Sequence, residues 1–353
     1  MSLVIRDQTG VVKDVLEGTK EAPPVQSKII DPSKLVPTGS TMLNLALSDN
    51  PYGGYLLGTL VNIIGDSSAG KTFLCWNMLA EICHLNLFPQ HKLIYRDVES
   101  KLQIDLHKLF GQKIDLVKQD FETKLIEDWY KKIRENITAS IPFIDCLDSL
   151  DAISTEEDQK DKELKKEYPI KPLLLKSLLE RLWGQISDSE SLVVIVSQTR
   201  QNLDALTAKF VPKRRAGGEA LHFYCLHEIW LSITGHVKRG PEGSRKEVGV
   251  EIRARVKKNH LTGKLRDANF NIYYDYGVDD IGSMIDWLIS EGYWSKTGQK
   301  ISTKLDWLPS NNRADLISHI ESNNLERKLR EYTGAAWLES EKEVASNRKN
   351  KYE

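Results

Sequence analysis

The sequence has few cysteines, no long apolar run and almost no net charge, and each shortage excludes a class of protein. Its 353 residues include four cysteines, none spaced as C-x-x-C, so neither a zinc site nor a disulfide framework is predicted. No apolar stretch approaches the ~18 residues that cross a membrane. The N-terminus lacks the charged and apolar segments of a signal peptide. We therefore expect a cytoplasmic protein with no membrane partner.

The charge balance restricts the possible partners. With 49 basic and 50 acidic residues, the formal net charge is -1. A global basic field is absent, so a nucleic-acid partner would have to be met by a local basic patch. The hydrophobic fraction of 40% is ordinary for a globular protein, and a chain of this length can bury a sizeable core.

Apolar runs and helical patterns alternate along the chain. The apolar runs have the character of strands buried on both faces, and residues at helical spacing lie between them. This alternation predicts an α/β fold with a twisted, mostly parallel sheet and helices on both faces. The predicted strands are 59–65, 92–99, 141–148 and 191–198, and the predicted helices are 71–86, 122–137 and 171–186.

The composition divides the chain into four parts. A polar N-terminal arm is predicted over residues 1–36, and the core over 37–277, where 227–234 and 247–259 add β structure. Short helical patterns over 278–337 predict a small C-terminal subdomain. The polar residues 338–353 are predicted to form a disordered tail.

A phosphate-binding loop stands between the first predicted core strand and helix, the context that its motif requires. Backbone N–H groups of this loop would cradle phosphates, Lys71 would reach the β- and γ-phosphates, and the Thr72 hydroxyl would bind Mg²⁺. ATP is therefore the expected ligand, and Lys71 also counts as a catalytic residue. The motif G-x-x-x-x-G-K-S/T is fitted by Gly65, Asp66, Ser67, Ser68, Ala69, Gly70, Lys71 and Thr72.

Polar residues end three of the predicted strands, where ligands bind in open α/β sheets. Asp148 is the preferred ligand for Mg²⁺, and Asp145 is a rival within the same strand. Glu99 is the candidate to orient or deprotonate the attacking water, whereas Asp97 is expected to face away. Gln198 would register the γ-phosphate through a hydrogen bond that is gained or lost.

A basic loop follows Gln198 directly. Cations along it would meet phosphates and its one aromatic residue would contact bases, which suits single-stranded DNA, although a solvated surface loop has the same charge pattern. The candidate DNA-binding residues are Arg200, Lys209, Phe210, Lys213, Arg214, Arg215, Gly217 and Gly218.

Several segments together resemble the RecA/RadA recombinase family over about residues 37–330. In family order they are PTGSTMLNLALS, the phosphate loop, YRDVES, LDSLDAI, VSQTR, AGGEALHFY, RVKKNH and EGYWSKTGQKI. The resemblance implies a RecA-like P-loop core whose members form helical filaments on single-stranded DNA. It also implies that ATP binds between subunits and that the filament pairs with homologous duplex DNA.

Individual roles carry over by position. The resemblance assigns Glu99 as the catalytic glutamate, Asp148 as the Walker B aspartate and Gln198 as the γ-phosphate sensor. It places DNA loops near 155–170 and at 199–218. It also implies that Phe223 packs against the next subunit and that Lys258 and His260 reach the ATP of that neighbour.

Departures from the family pattern leave alternatives open. His260 stands where bacterial members carry a lysine, Leu106 lies where an adenine-stacking tyrosine is expected, and the first DNA loop is highly charged. These departures are similar to those of divergent, phage-like relatives. One alternative is a recombinase paralogue or mediator that hydrolyses little ATP, and another is a ring-forming motor on the same fold.

Overall fold

The computed structural model describes residues 30–100, 104–160, 170–201, 213–215, 218–346 and 348–349. Strands β1 to β7 are Leu35–Val36, Tyr55–Leu56, Thr59–Gly65, Lys92–Asp97, Lys118–Asp120, Phe143–Asp148 and Leu192–Gln201. Strands β8 to β14 are Lys213–Arg215, His227–Arg239, Lys246–Asn259, Asp267–Tyr273, Gly277–Val278, Ser295–Thr297 and Lys300–Ser302.

Ten α-helices lie in this described part of the chain. Helices α1 to α5 are Thr41–Ser48, Lys71–Leu85, Leu106–Phe110, Ile126–Thr138 and Glu156–Lys160. Helices α6 to α10 are Ile170–Asp188, Gly218–Tyr224, Asp280–Ser290, Arg313–Ser322 and Glu326–Glu343. None of the helices in the described ranges combines the length and apolarity that a membrane span would need.

One large sheet organises the fold, with the strand order β12-β11-β10-β9-β3-β7-β6-β4-β5 and β8 paired to β7. The pairs of β3, β4, β5, β6 and β7 with one another are parallel, as is β3 with β9, while β9 to β12 pair antiparallel. The predicted α/β fold with a mostly parallel core sheet is therefore confirmed. The antiparallel strands extend it on one side.

The core has two layers because alternate residues of a strand face opposite sides of the sheet. Every residue of β3 is buried. Val61 and Ile63 pack in the cluster that contains α1, α2 and the C-terminal helices. Leu60 packs in the second cluster, with residues of α4, α6 and α7. Burial on both faces explains why β3 is a continuous apolar run in the sequence.

Two predicted boundaries differ from the structure. Residues 35–36, assigned to the N-terminal arm, form β1 and pair with β2, and both are buried. Helix α10 continues through Glu343, so the tail predicted to begin at 338 is helical over its first residues. Both segments were judged from local polarity, and it is packing against the core that gives them regular structure.

Candidate nucleotide and DNA site

The phosphate loop joins β3 to α2 and depends on two glycines. Gly70 caps α2 with a positive φ of 82°, and a Cβ there would lie 2.4 Å from Ile272 Cδ1. A Cβ on Gly65 would lie 2.9 Å from the carbonyl oxygen of Leu231. The loop is therefore shaped by close backbone packing that a side chain would disturb. Ser67 and Ser68 are exposed at its tip, and Ala69 is buried beneath it.

The Lys71 ammonium lies within this loop. It donates hydrogen bonds to the carbonyl oxygens of Gly65, at 2.9 Å, and Asp66, at 2.6 Å. Burial lowers the pKa of Lys71, and the negative charges of Asp148, Asp66 and Asp151 act in the opposite direction. A phosphate on the loop would replace these carbonyls with stronger, charged acceptors.

Thr72 and Asp148 meet beside the loop. The Thr72 hydroxyl donates to Asp148 Oδ2 at 2.6 Å, and the Tyr95 hydroxyl donates to the same oxygen at 2.7 Å. Burial raises the pKa of Asp148, and these two hydrogen bonds partly offset that rise. A hydroxyl and a carboxylate are hard oxygen ligands of the kind that Mg²⁺ prefers, so the donor set fits this cation.

Asp97 lies on the same face of the sheet as Asp148. The two residues are partners in the parallel register of β4 and β6, which directs their side chains to one side. The charge of Asp97 also contributes to the raised pKa of Asp148. The expectation that Asp97 faces away is therefore wrong, and Asp97 and Tyr95 are site residues that the sequence reasoning missed.

Asp145 has a different partner, on the other face. Arg96 donates to both of its carboxylate oxygens, at 2.8 and 3.1 Å through Nε, and also donates to Asp120. Arg96, Asp120 and Asp145 are all buried. Asp145 thus belongs to an ion-pair network between β4, β5 and β6, and this leaves Asp148 as the carboxylate beside Thr72.

Glu99 and Gln198 meet across the edge of the sheet. Glu99 follows the end of β4 by two residues, and Gln198 lies near the end of β7, opposite Gly65 in the register with β3. The Gln198 side chain donates to Glu99 Oε1 at 3.3 Å, and the Ser149 hydroxyl donates to the same oxygen at 3.5 Å. The proposed water-orienting and γ-phosphate-sensing residues are therefore neighbours.

The strand that carries Gln198 continues into the predicted DNA loop. β7 runs on to Gln201 and pairs antiparallel with β8, so that Arg200 lies opposite Arg214 in the register. Lys213 and Arg215 are also in β8, and Gly218 begins α7. Lys209, Phe210 and Gly217 lie outside the described residues. The Thr199 hydroxyl donates to the Asp66 carboxylate, which links the root of this loop to the phosphate loop.

The predicted interface residues lie at the end of α7. The Phe223 side chain is 75% exposed. Lys258 is buried and donates to the carbonyl oxygens of His222 and, at 3.0 Å, Phe223. His260 is exposed two residues further on. Leu106, at the expected place of an adenine-stacking residue, is instead packed in the core.

Comparison with known proteins shows the family of this chain. The RecA N-terminal domain family matches residues 26–279. This chain belongs to the RecA/RadA recombinase family. Protein RecA of Nitratiruptor sp. is 28% identical over 318 residues, which cover 87% of this chain and 87% of that relative. Protein RecA 2 of Myxococcus xanthus is 27% identical over 278 residues, or 76% of this chain and 71% of that relative.

A solved structure also resembles this RecA-family chain. The crystal structure of the RadB recombinase matches with a TM-score of 0.47 and 15% sequence identity, covering 69% of this chain and 98% of that one. The family match spans the phosphate loop, β4, β6 and β7, and it ends at residue 279, next to the start of α8 at Asp280.

Proposed function

We propose that this protein is a DNA-dependent ATPase that forms a helical filament on single-stranded DNA and pairs that strand with homologous duplex DNA. The observation that carries the proposal is the hydrogen bond from Gln198 to Glu99. This hydrogen bond links Glu99, which we propose orients the attacking water, to Gln198 on the strand that leads into the basic loop. Binding of ATP and binding of DNA therefore act on one pair of side chains.

Each residue of the site has a proposed task. The loop N–H groups and Lys71 would hold the phosphates of ATP, and Thr72 and Asp148 would hold Mg²⁺. The bound Mg²⁺ would neutralise phosphate charge. Glu99 would orient and deprotonate the attacking water. A γ-phosphate that accepted the Gln198 amide hydrogen bond would release Glu99 for that work, because the amide donates to Glu99 in this structure.

The basic ribbon at the end of β7 is the proposed contact for DNA. The register of β7 with β8 brings Arg200 and Arg214 to opposite positions on neighbouring strands. Lys213 and Arg215 in β8, with Lys209 beyond it in the sequence, add cations. Clustered cations bind the phosphate backbone without sequence preference, and Phe210 would stack on a base.

The filament contact is proposed at the end of α7. Phe223 is a large apolar side chain that is exposed in the monomer, and a second subunit that covered it would remove its surface from water. Lys258 supports the carbonyl groups of this helix end. His260, exposed beside it, would face the nucleotide of the neighbour.

The test is ATP turnover measured with and without single-stranded DNA. We expect DNA to raise the turnover of the wild-type protein severalfold. Glu99→Gln should lower the stimulated rate by about 10²- to 10⁴-fold and leave ATP binding intact. Glu190→Gln is the matched control, because Glu190 lies at the opposite end of β7 and pairs with Lys34. Intact ATP binding with no DNA stimulation in the wild type would refute the proposal.

One alternative, a filament partner that hydrolyses little ATP, is favoured by His260. Partial desolvation and the charges of Lys258 and His222 lower the pKa of His260, so that it is mostly neutral at pH 7. A neutral side chain would stabilise the neighbour's phosphates less than a lysine. Strand exchange by the purified protein alone would exclude this alternative, and increased turnover in His260→Lys would favour it.

A further inference from the structure

The segment between β6 and α6 is tied to the end of β7 by one carboxylate. Asp151 follows the Walker B aspartate by three residues, and its Oδ2 accepts the backbone N–H of Gln198 at 2.6 Å. The next contact along is between backbones, where the Leu150 N–H donates to the Val196 carbonyl at 2.9 Å. The start of this segment therefore lies against the γ-phosphate sensor itself.

The first turn of α6, which follows this segment, also contacts residues 151 and 153. Lys171 lies in the first turn of α6, and its ammonium donates to the carbonyl oxygens of Ile153, at 2.5 Å, and Asp151, at 3.2 Å. Residues 151–153 are thus held from β7 on one side and from α6 on the other.

We propose that Asp151 is a positioning residue that transmits the nucleotide-dependent state of Gln198 to the segment between β6 and α6. The inference rests on the proposed function, because that segment is the predicted first DNA loop. Gln198 would then act on the two DNA loops by two routes, along β7 to the second and through Asp151 to the first.

The chemistry of the contact suits this task. A carboxylate that accepts a backbone N–H makes a charge-assisted hydrogen bond, which is shorter and about twice as strong as a neutral one. It holds the backbone of Gln198 while leaving the side-chain amide of that residue available for phosphate. The amide can therefore exchange partners while the link to the segment persists.

The first experiment measures the ratio of DNA-stimulated to DNA-free ATP turnover. Asp151→Ala should lower this ratio from its severalfold wild-type value to near one, because the hydrogen bond that makes the link is lost, with ATP affinity retained. Asp151→Asn, which keeps an oxygen acceptor, should recover most of the ratio. Asp188→Ala removes the same side chain and charge from an exposed position at the far end of α6, outside the site and both predicted DNA loops, and should change nothing.

Two outcomes would overturn the inference. The ratio could stay at the wild-type value in Asp151→Ala, whether or not both rates fall by one common factor. Alternatively, Asp188→Ala could lower the ratio as much as Asp151→Ala, in which case charge and not position is responsible.

A second experiment needs neither DNA nor hydrolysis. Hydrogen–deuterium exchange is followed in peptides from β7 and from residues 149–160, with and without a non-hydrolysable ATP analogue and Mg²⁺. We expect the analogue to change exchange in both peptides of the wild type, and only in the β7 peptide of Asp151→Ala. Equal changes in both peptides of that variant would overturn the inference. An absence of DNA stimulation in the wild type would count against the proposed function alone.

Discussion

Replacing Tyr95 by Phe should weaken the Asp148 carboxylate as a ligand without altering the shape of the site. Tyr95 is buried, packs on Trp76 with ring centroids 4.3 Å apart, and donates to Asp148 Oδ2 at 2.7 Å. The substitution removes one oxygen atom and keeps this packing. Only the hydrogen bond to the charged form of Asp148 is lost.

The size of the effect follows from that one bond. A hydrogen bond to a charged group contributes about 1.5–3 kcal/mol. Since one pKa unit corresponds to about 1.4 kcal/mol, its loss should raise the pKa of Asp148 by about one to two units. The direction adds to the rise that burial already causes. The acid limb of activity should therefore move to higher pH by the same amount.

The assay is the pH dependence of ATP turnover at subsaturating Mg²⁺, where occupancy of the proposed metal site depends on ionised Asp148. The control is Tyr55→Phe, because the Tyr55 hydroxyl is also buried but has no hydrogen-bond partner among the described residues. The control should leave the profile unchanged. If the Tyr95→Phe profile coincided with that of the wild type, the hydrogen bond would not tune the carboxylate and the reasoning would fail.

Two further predictions concern stability. Burial lowers the pKa of His227 to about 3, whereas the same side chain in the unfolded protein has its ordinary pKa of 6.5. Between pH 7 and pH 5 the unfolded chain therefore binds a proton that the folded protein does not. The free energy of unfolding should fall by about 2 kcal/mol over this range. The free energy of unfolding, measured with urea at pH 7 and at pH 5, should change less with pH in His227→Gln than in the wild type. An equal change in both proteins would contradict this prediction. Arg96→Met removes the partner of the buried Asp145 carboxylate, while Asp120 keeps its ion pair with Lys132 at 2.9 Å, and should cost about 3–5 kcal/mol. Arg253→Met, at a partly exposed pair with Asp267, should cost at most about 1 kcal/mol, and equal losses would show that burial is not the cause.

Local pattern was enough to predict the main elements near the site. β3 was predicted with its observed limits, and α2 differs by one residue at its end. The run 92–99 ends as a strand at Asp97, and 191–198 extends to Gln201. Runs of apolar residues and glycines at turns act over a few neighbours, and these can be read directly along the chain.

The register between neighbouring strands could not be predicted from these local patterns. The position of Asp97 beside Asp148 follows from the register of β4 with β6, and the separation of Asp145 follows from its partner Arg96 on the other face. Tyr95 gave no signal, because a tyrosine in an apolar run is ordinary in a buried strand. Its role follows only from the hydrogen bond between its hydroxyl and Asp148, which belongs to another strand.

The sequence alone therefore determined the phosphate loop, the strand–helix alternation and the family, because each depends on residues that are adjacent or in order along the chain. The tertiary structure decided which polar groups meet: Tyr95 and Thr72 on Asp148, Gln198 on Glu99, and Asp151 on the backbone of Gln198. These contacts join residues from separate strands and loops. Their distances depend on sheet order and register, which are set by packing of the whole core.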